Sequence, residues 1–310
     1  MAVPVLIDTD MGVDDALAIC LALASERLDV RAIVSVGGNV DAEQATANIG
    51  RLLAAVQPDA RPAVGRGLDQ EGDDLLNARW LFGQDGLGGA NLPKPGDQFQ
   101  PRNFRDVYAD AIDTHGEDLV VVAIGPLSNV AALQREDPER YGRIGRIIMM
   151  GGAVFVPGNV QRTAEFNFYR DAAAAAEVLG SGQKITLVPL DVTEKVALDD
   201  SHVGHFGAAN TALGPLLAEM MSFPMAHARP EEHGRFIVHD AVAVGALLWP
   251  ELFMHTRVCL VVDTVGRPAG KTTPAKTQNK SRLISMILSV NASTYLERLM
   301  DVLCHERFHV

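Results

Sequence analysis

Five short apolar runs, set apart by longer helix-like stretches, constrain this chain more than any other feature. The runs are VPVLID from Val3, VRAIVSV from Val30, LVVVAI from Leu119, RIIMM from Arg146 and ITLVPL from Ile185. Each is nearly continuously apolar, as parallel strands covered on both faces must be. Among the intervening stretches, DDALAICLALAS opens with acids that suit the positive end of a helix dipole. DAEQATANIGRLLAAV, SNVAALQRE and DAAAAAEVLGSG continue the helical pattern, the last with a Gly stop signal. Such alternation builds right-handed βαβ units. The expected fold is α/β, a doubly wound, mostly parallel central sheet in a single large domain spanning residues 1–310. VCLVVD from Val258 predicts one further strand, and RPAGKTTPAKTQNKSR from Arg267 an exposed loop or hairpin.

Hydrophobic residues make up 47% of the 310, enough for a sizeable core. The net charge of −12 argues against a nucleic-acid polymer as partner, because phosphate backbones need a basic surface. Cys20, Cys259 and Cys304 are odd in number and widely spaced, which fits free thiols in a reducing cytosol. Asp8 interrupts the first apolar run before a leader could form, and no run approaches the roughly 18 to 20 residues of a membrane span. A soluble cytoplasmic protein with no membrane partner is expected.

In open parallel sheets, ligands bind beyond the carboxyl ends of the strands. Asp8 and Asp10 follow the first strand, Gly37-Gly38-Asn39 the second, GPLSN the third, GGAVFVPGN the fourth and DVTEK the fifth. Asp8, Asp10, Asp14 and Asp15 place four carboxylates within eight residues. Buried acids need a partner, so a cation or a hydroxyl-rich ligand is expected there. Hard carboxylate oxygens suit Ca²⁺ or Mg²⁺. Singly, Asp14 and Asp15 read as helix-start acids worth about 0.3 to 1 kcal/mol each; with Asp10 in the turn, the group reads as a cation site. An EF-hand fails, because the twelfth position from Asp8 is Ile19 rather than Glu. No GxxxxGK[ST] or helix-opening GxGxxG is present, so dinucleotide binding has no support. Two further clusters are GNVQRTAEFNFYRD, with Asn159, Glu165 and Asn167, and FIVHDAVAVGALL, with His239 and Asp240 heading a helix-like run.

DTDMGVDDA near the start, AIGPLSN in the middle, GNVQRTAEFN and the late VHDA resemble the motifs of the calcium-dependent nucleoside N-ribohydrolases, the inosine-uridine preferring nucleoside hydrolases. They occur in family order over nearly the whole chain, and the DTDxGxDD opening is the specific one. The resemblance implies a nucleoside hydrolase-like fold and hydrolysis of the N-glycosidic bond of ribonucleosides to free base and ribose. It implies Ca²⁺ at the bottom of a deep cleft, bound by Asp10, both Asp15 oxygens, Asp240 and the main-chain carbonyl of Ile124. The ribose diol and one water would complete the shell, with Asp240 serving both metal and sugar. Asp14 would accept from the 2′-hydroxyl beside Asn39, Asn167 would reach the 3′-hydroxyl, and Asn159 and Glu165 the 5′-hydroxyl. Asp10 would take a proton from the Ca²⁺-bound water that attacks C1′, and His239 would protonate the departing base. Asp8 is given a structural role. A homodimer or homotetramer, and a place in purine or pyrimidine salvage, come with the family.

Two positions depart from the family pattern. Phe82 stands where some members carry His before the Gly of a lid, and Met11 where others carry Pro or Cys. Phe82 and Trp80 are expected to pack, or to stack on a base. The Gly- and Pro-rich residues 83–98 are a candidate lid. Residues 222–238, which include His227, Arg229, His233 and Arg235, are a candidate mobile active-site loop.

Two rival readings belong to other classes. VLIDTD also resembles the strand and DxD of haloacid dehalogenase-type Mg²⁺-dependent phosphatases, with Asp8 as nucleophile; AEFN and VHDA have no role there. A non-catalytic nucleoside-binding protein on the same fold would keep every ribose contact without turnover.

Overall fold

Along the parallel strands, alternate side chains enter two different cores, which is why those runs are nearly continuously apolar. The computed structural model describes residues 2–70, 76–160, 162–227 and 234–305. Its first strands are β1 (Val3–Thr9), β2 (Leu28–Ser35), β3 (Ala63–Arg66), β4 (Arg102–Asn103), β5 (Val120–Ala123), β6 (Arg146–Met150) and β7 (Ile185–Val188). A small pair, β8 (Ala197–Leu198) with β9 (Phe236–Ile237), precedes β10 (Phe253–Val262), β11 (Thr272–Ala275) and β12 (Ile284–Val290). The main sheet has the order β11-β10-β12-β7-β6-β5-β1-β2-β3-β4. All its pairings from β12 to β4 are parallel, whereas β10 runs antiparallel to β12 and β11.

Val5, Ile7, Val122, Ile148 and Val188 share one core with the helices Val13–Ala24, Ala42–Val56 and His239–Leu248. Leu6, Val34, Val121, Ile147 and Leu187 share the other with Phe104–His115, Ser128–Glu136 and Ala172–Gly180. The five apolar runs are thus β1, β2, β5, β6 and β7, and the four helical stretches are helices. VCLVVD is the end of β10, and the polar stretch after it does return as a hairpin strand, β11. The chain winds from β1 through β2 and β3 to β4 on one side, then from β5 through β6 to β7 on the other. Strand order therefore reverses between β1 and β5, and their carboxyl ends open the crevice where such sheets bind ligands.

Asp8 lies within β1, fully buried. It accepts hydrogen bonds from the Tyr108 hydroxyl at 2.7 Å and from Asn129 Nδ2 at 3.0 Å. Burial pushes its carboxyl up to about 7, against the pull of those two donors. Its contribution to stability is complete below the unfolded carboxyl value and is lost as pH rises through about 7. Tyr108→Phe removes a donor that matters most to the ionised form. We expect a loss of about 1 to 3 kcal/mol at pH 8 and a smaller one at pH 5, read from urea midpoints. Equal losses at both pH values would show that the hydroxyl is not serving the carboxylate.

Candidate active site

β1 runs directly into the acidic turn. Thr9 Oγ1 donates to Asp15 Oδ1 and accepts the Met11 N–H at 3.1 Å. Met11 adopts a left-handed backbone, φ 50°, and is fully buried. Gly12 then caps the Val13–Ala24 helix, its N–H donating to Asp15 Oδ2 at 2.7 Å. Asp10 Oδ2 accepts the Asn39 N–H at 2.7 Å, and Asn39 Nδ2 donates to Asp15 Oδ2 at 3.1 Å. A Cβ on Gly38 would stand 2.1 Å from Asp10 Oδ2, so this turn admits only glycine.

Asp240 sits in the first turn of the His239–Leu248 helix, which packs on Val13–Ala24. One ligand oxygen from each of Asp14, Asp15 and Asp240 lies within 4.8 Å of the other two. Burial, and then repulsion from Asp15, holds the carboxyls of Asp10 and Asp14 well above the ordinary range. Burial and the charge of Asp14 do the same to Asp240. Asp15 is raised by burial too, opposed by its donors Thr9 and Gly12. Asp10 Oδ1 and Asp14 Oδ1 are buried with no hydrogen-bond partner. An oxygen-only donor set with two orphaned carboxylate oxygens fits a hard divalent cation.

Asp14 thus joins two members of the expected ligand set, Asp15 and Asp240, while the third acid of that set, Asp10, lies against Asp15. Asp10 accepts from Asn39 and also adjoins Asp15, while Asp14 and Asp15 approach Asp240 from the helix start. Asn39 gives its amide to Asp15 and lines the same cleft as Asp14.

Each candidate residue except Asp15 lines one cleft of about 500 Å³. Asn167 Nδ2 donates to the Ile124 carbonyl at 3.0 Å. Glu165 caps the Phe166–Arg170 helix, accepting the N–H groups of Asn167 at 2.9 Å and Phe168 at 3.1 Å, and also that of Gly152 at 2.9 Å. Burial raises its carboxyl to about 7 against those three donors. Asn159 Oδ1 accepts the Phe166 N–H at 2.9 Å. His239 Nδ1 is 2.8 Å from the hydroxyl of Thr193, a fully buried residue that sequence reasoning passed over. Thr9, Tyr169 and Asp191 were also missed; Thr9 stands inside DTD and Asp191 inside DVTEK, so both lay within segments already marked.

An apolar rim formed by Leu76, Ala78, Trp80, Leu81 and Phe82 closes one side of the cleft. Phe82 is buried and meets Phe236 edge to face, a packing role, whereas Trp80 is 46% exposed. Residues 83–98 contain no regular element and contribute nothing to the lining. They are stitched to the Ala42–Val56 helix through Asn48 and Arg51, which donate to the carbonyls of Asp85 and Ala90. Of the second candidate segment, residues 222–227 end the Leu213–His227 helix, and 228–233, including Arg229 and His233, lie outside the described residues.

A family model described as inosine-uridine preferring nucleoside hydrolase matches residues 5–297. The chain belongs to this family. Among curated relatives, the pyrimidine-specific ribonucleoside hydrolases RihA of Escherichia fergusonii and Escherichia coli are 36% identical over 272 residues, covering 86% of each chain. A plant nucleoside hydrolase, PpNRh1, superposes with a TM-score of 0.92 at 27% identity, over 98% of this chain and 100% of its own. The purine-preferring ribonucleoside hydrolase of Gardnerella vaginalis superposes with a TM-score of 0.90 at 28% identity, over 97% and 98%. As a nucleoside hydrolase, the chain is an enzyme for N-glycosidic hydrolysis of ribonucleosides. The phosphatase reading is overturned by this membership and by the burial of Asp8, its required nucleophile, behind the cleft.

Proposed function

We propose that the enzyme is Ca²⁺-dependent, with Asp10 as general base and His239 as the acid for the leaving base. The observation that carries this reading is the pair of orphaned carboxylate oxygens, Asp10 Oδ1 and Asp14 Oδ1, in a cleft whose walls offer amides and carboxylates to a sugar. Asp10, Asp15, Asp240 and the Ile124 carbonyl are the residues that would hold the cation, with Asp14 drawn into the same group. When bound, Ca²⁺ neutralises the acids, accepts a sugar diol and makes a water more acidic.

Asp10 is fixed through Oδ2 by the Asn39 N–H, so Oδ1 is the oxygen that takes the proton from the attacking water. As the C1′–N bond stretches, positive charge grows on C1′ and the ring oxygen, and the surrounding carboxylates favour it. Asp14 accepts from the 2′-hydroxyl, Asn167 engages the 3′-hydroxyl, and Asn159 and Glu165 engage the 5′-hydroxyl. On the base side, the Thr193 hydroxyl lies 2.8 Å from His239 Nδ1; with the imidazole protonated, Nδ1–H donates to it while Nε2 gives up its proton. The apolar rim, with Trp80, supplies a face for the base. A cytoplasmic location and a homodimer or homotetramer belong to the same proposal; among the described residues no helix is long and apolar enough to cross a membrane.

Incubation with uridine, cytidine, inosine and adenosine in the presence of Ca²⁺ should release reducing sugar. A folded, Ca²⁺-loaded protein that binds these nucleosides and releases none would instead be the non-catalytic binder. His239→Ala should cost about 10² to 10³-fold on natural nucleosides and less than about 10-fold on 4-nitrophenyl riboside, whose departure needs little protonation. Thr193→Val should follow the same pattern at about 10-fold. Equal losses on both substrates would make His239 a structural residue.

A further inference from the structure

The loop DVTEK was marked by its place after β7, yet the reaction scheme gives Asp191 nothing to do. Asp191 sits in the first turn of the short helix Leu190–Thr193 and is 7% exposed. Its Oδ2 accepts the Val154 N–H at 2.9 Å and its Oδ1 the Phe155 N–H at 2.8 Å. The adjacent Leu190 N–H donates to the Gly152 carbonyl at 2.9 Å. On its other side, Gly152 donates its N–H to Glu165 Oε2.

The arm that leaves β6 and returns at Glu165 is therefore held at its root by main-chain hydrogen bonds. Its apolar anchorage at that point is partial: Ala153 is buried and Val154 and Val156 pack against the two cores, but Phe155 is 68% exposed. Burying a carboxylate is costly unless its lone pairs are filled. Two successive N–H donors in charge-assisted hydrogen bonds help fill them and set the direction of the arm. The same arm carries Asn159 and Glu165 to the cleft.

We propose that Asp191 is a positioning residue for the sugar-binding arm, holding Asn159 and Glu165 at the 5′ end of the ribose. This rests on the reading of those two residues as 5′-hydroxyl contacts. Asp191 is not among the residues that line the cleft. Its effect is confined to the part of the sugar that the arm meets, whereas Thr193, two residues on, serves the opposite end through His239.

The test compares Asp191→Ala, Asp191→Asn and Thr193→Val in the Ca²⁺-loaded enzyme. The substrates are whichever of uridine and inosine the wild type cleaves faster, and its 5′-deoxy analogue. A displacement near 1 Å at a contact can cost about 10²-fold. Asp191→Ala is expected to lower kcat/KM about 30-fold on the ribonucleoside and no more than about 3-fold on the 5′-deoxy analogue. Asp191→Asn, which keeps one acceptor oxygen, should recover part of that loss. Thr193→Val should lose equally on the two substrates. Equal losses for both Asp191 variants, with wild-type discrimination for the 5′-hydroxyl intact, overturn the positioning role alone. A wild type indifferent to the 5′-hydroxyl overturns the contact reading and the positioning role together. Should Asp191→Ala fail to fold, the Asn variant decides by the same comparison.

Discussion

Asp10→Asn is expected to lower turnover about 10⁴-fold while leaving the turn that carries it intact. The amide keeps an oxygen for the Asn39 N–H, which now meets Asp10 Oδ2 at 2.7 Å. What disappears is a basic oxygen at the Oδ1 position, which has no hydrogen-bond partner of its own. Loss of a positioned general base costs about 10² to 10⁴-fold. Asp10 also sits among the charges that favour an oxocarbenium-like state and is a proposed cation ligand, so the upper end of that range applies. Reducing-sugar release at saturating nucleoside and Ca²⁺ measures the loss, and nucleoside binding by calorimetry separates it from a failure to bind. Turnover within about tenfold of wild type would remove Asp10 as the base.

The second large effect is on stability. Without a cation, Asp10, Asp14 and Asp240 are buried against one another with their carboxyls held well above the ordinary range. A carboxyl raised by folding contributes its stability below the unfolded value, and that contribution is lost as pH rises through the folded one. The metal-free enzyme should therefore weaken from mildly acidic pH to pH 8. A divalent cation reverses the trend, because it binds the ionised acids and protons compete with it at low pH. A ligand at about a thousand times its Kd stabilises by about 4 kcal/mol. With unfolding entropy near 2.1 cal/mol/K per residue, that raises Tm by roughly 6 °C for a chain of this length. We expect such a rise on adding Ca²⁺ at pH 8, its reversal by a chelator, and a rise below about 2 °C at pH 5. Identical melting curves with and without Ca²⁺ at pH 8 would show that the acids are stable alone.

The fold was legible where burial on both faces made strands apolar throughout, as in β1, β2, β5, β6 and β7. β12 escaped notice because it lies beside the antiparallel margin and is only partly buried, with Ile284, Met286 and Ile287 inside and Leu288 exposed. β3 and β4, of four and two residues, are too short to leave a pattern. Pro224 inside Leu213–His227 disguised that helix, since proline usually ends one.

In the site, charge density alone exposed Asp8, Asp10, Asp14 and Asp15. Their partners were less visible, because Asp10 meets Asn39 across 29 positions and Asp8 meets Tyr108 across 100. Residues that act through distant partners were silent. Thr193 reaches His239 across 46 positions, Asp191 reaches Val154 across 37, and Asn129 reaches Asp8 across 121. Only the crossover topology brings them together.

A crystal structure grown in saturating Ca²⁺ with a ribose-like inhibitor addresses the cation, the base oxygen and the sugar contacts at once. It should show one ion against Asp15 and Asp240, the inhibitor's vicinal hydroxyls on that ion, and a water beside Asp10 Oδ1. Inhibitor bound in the cleft with no ion among these aspartates would contradict the account.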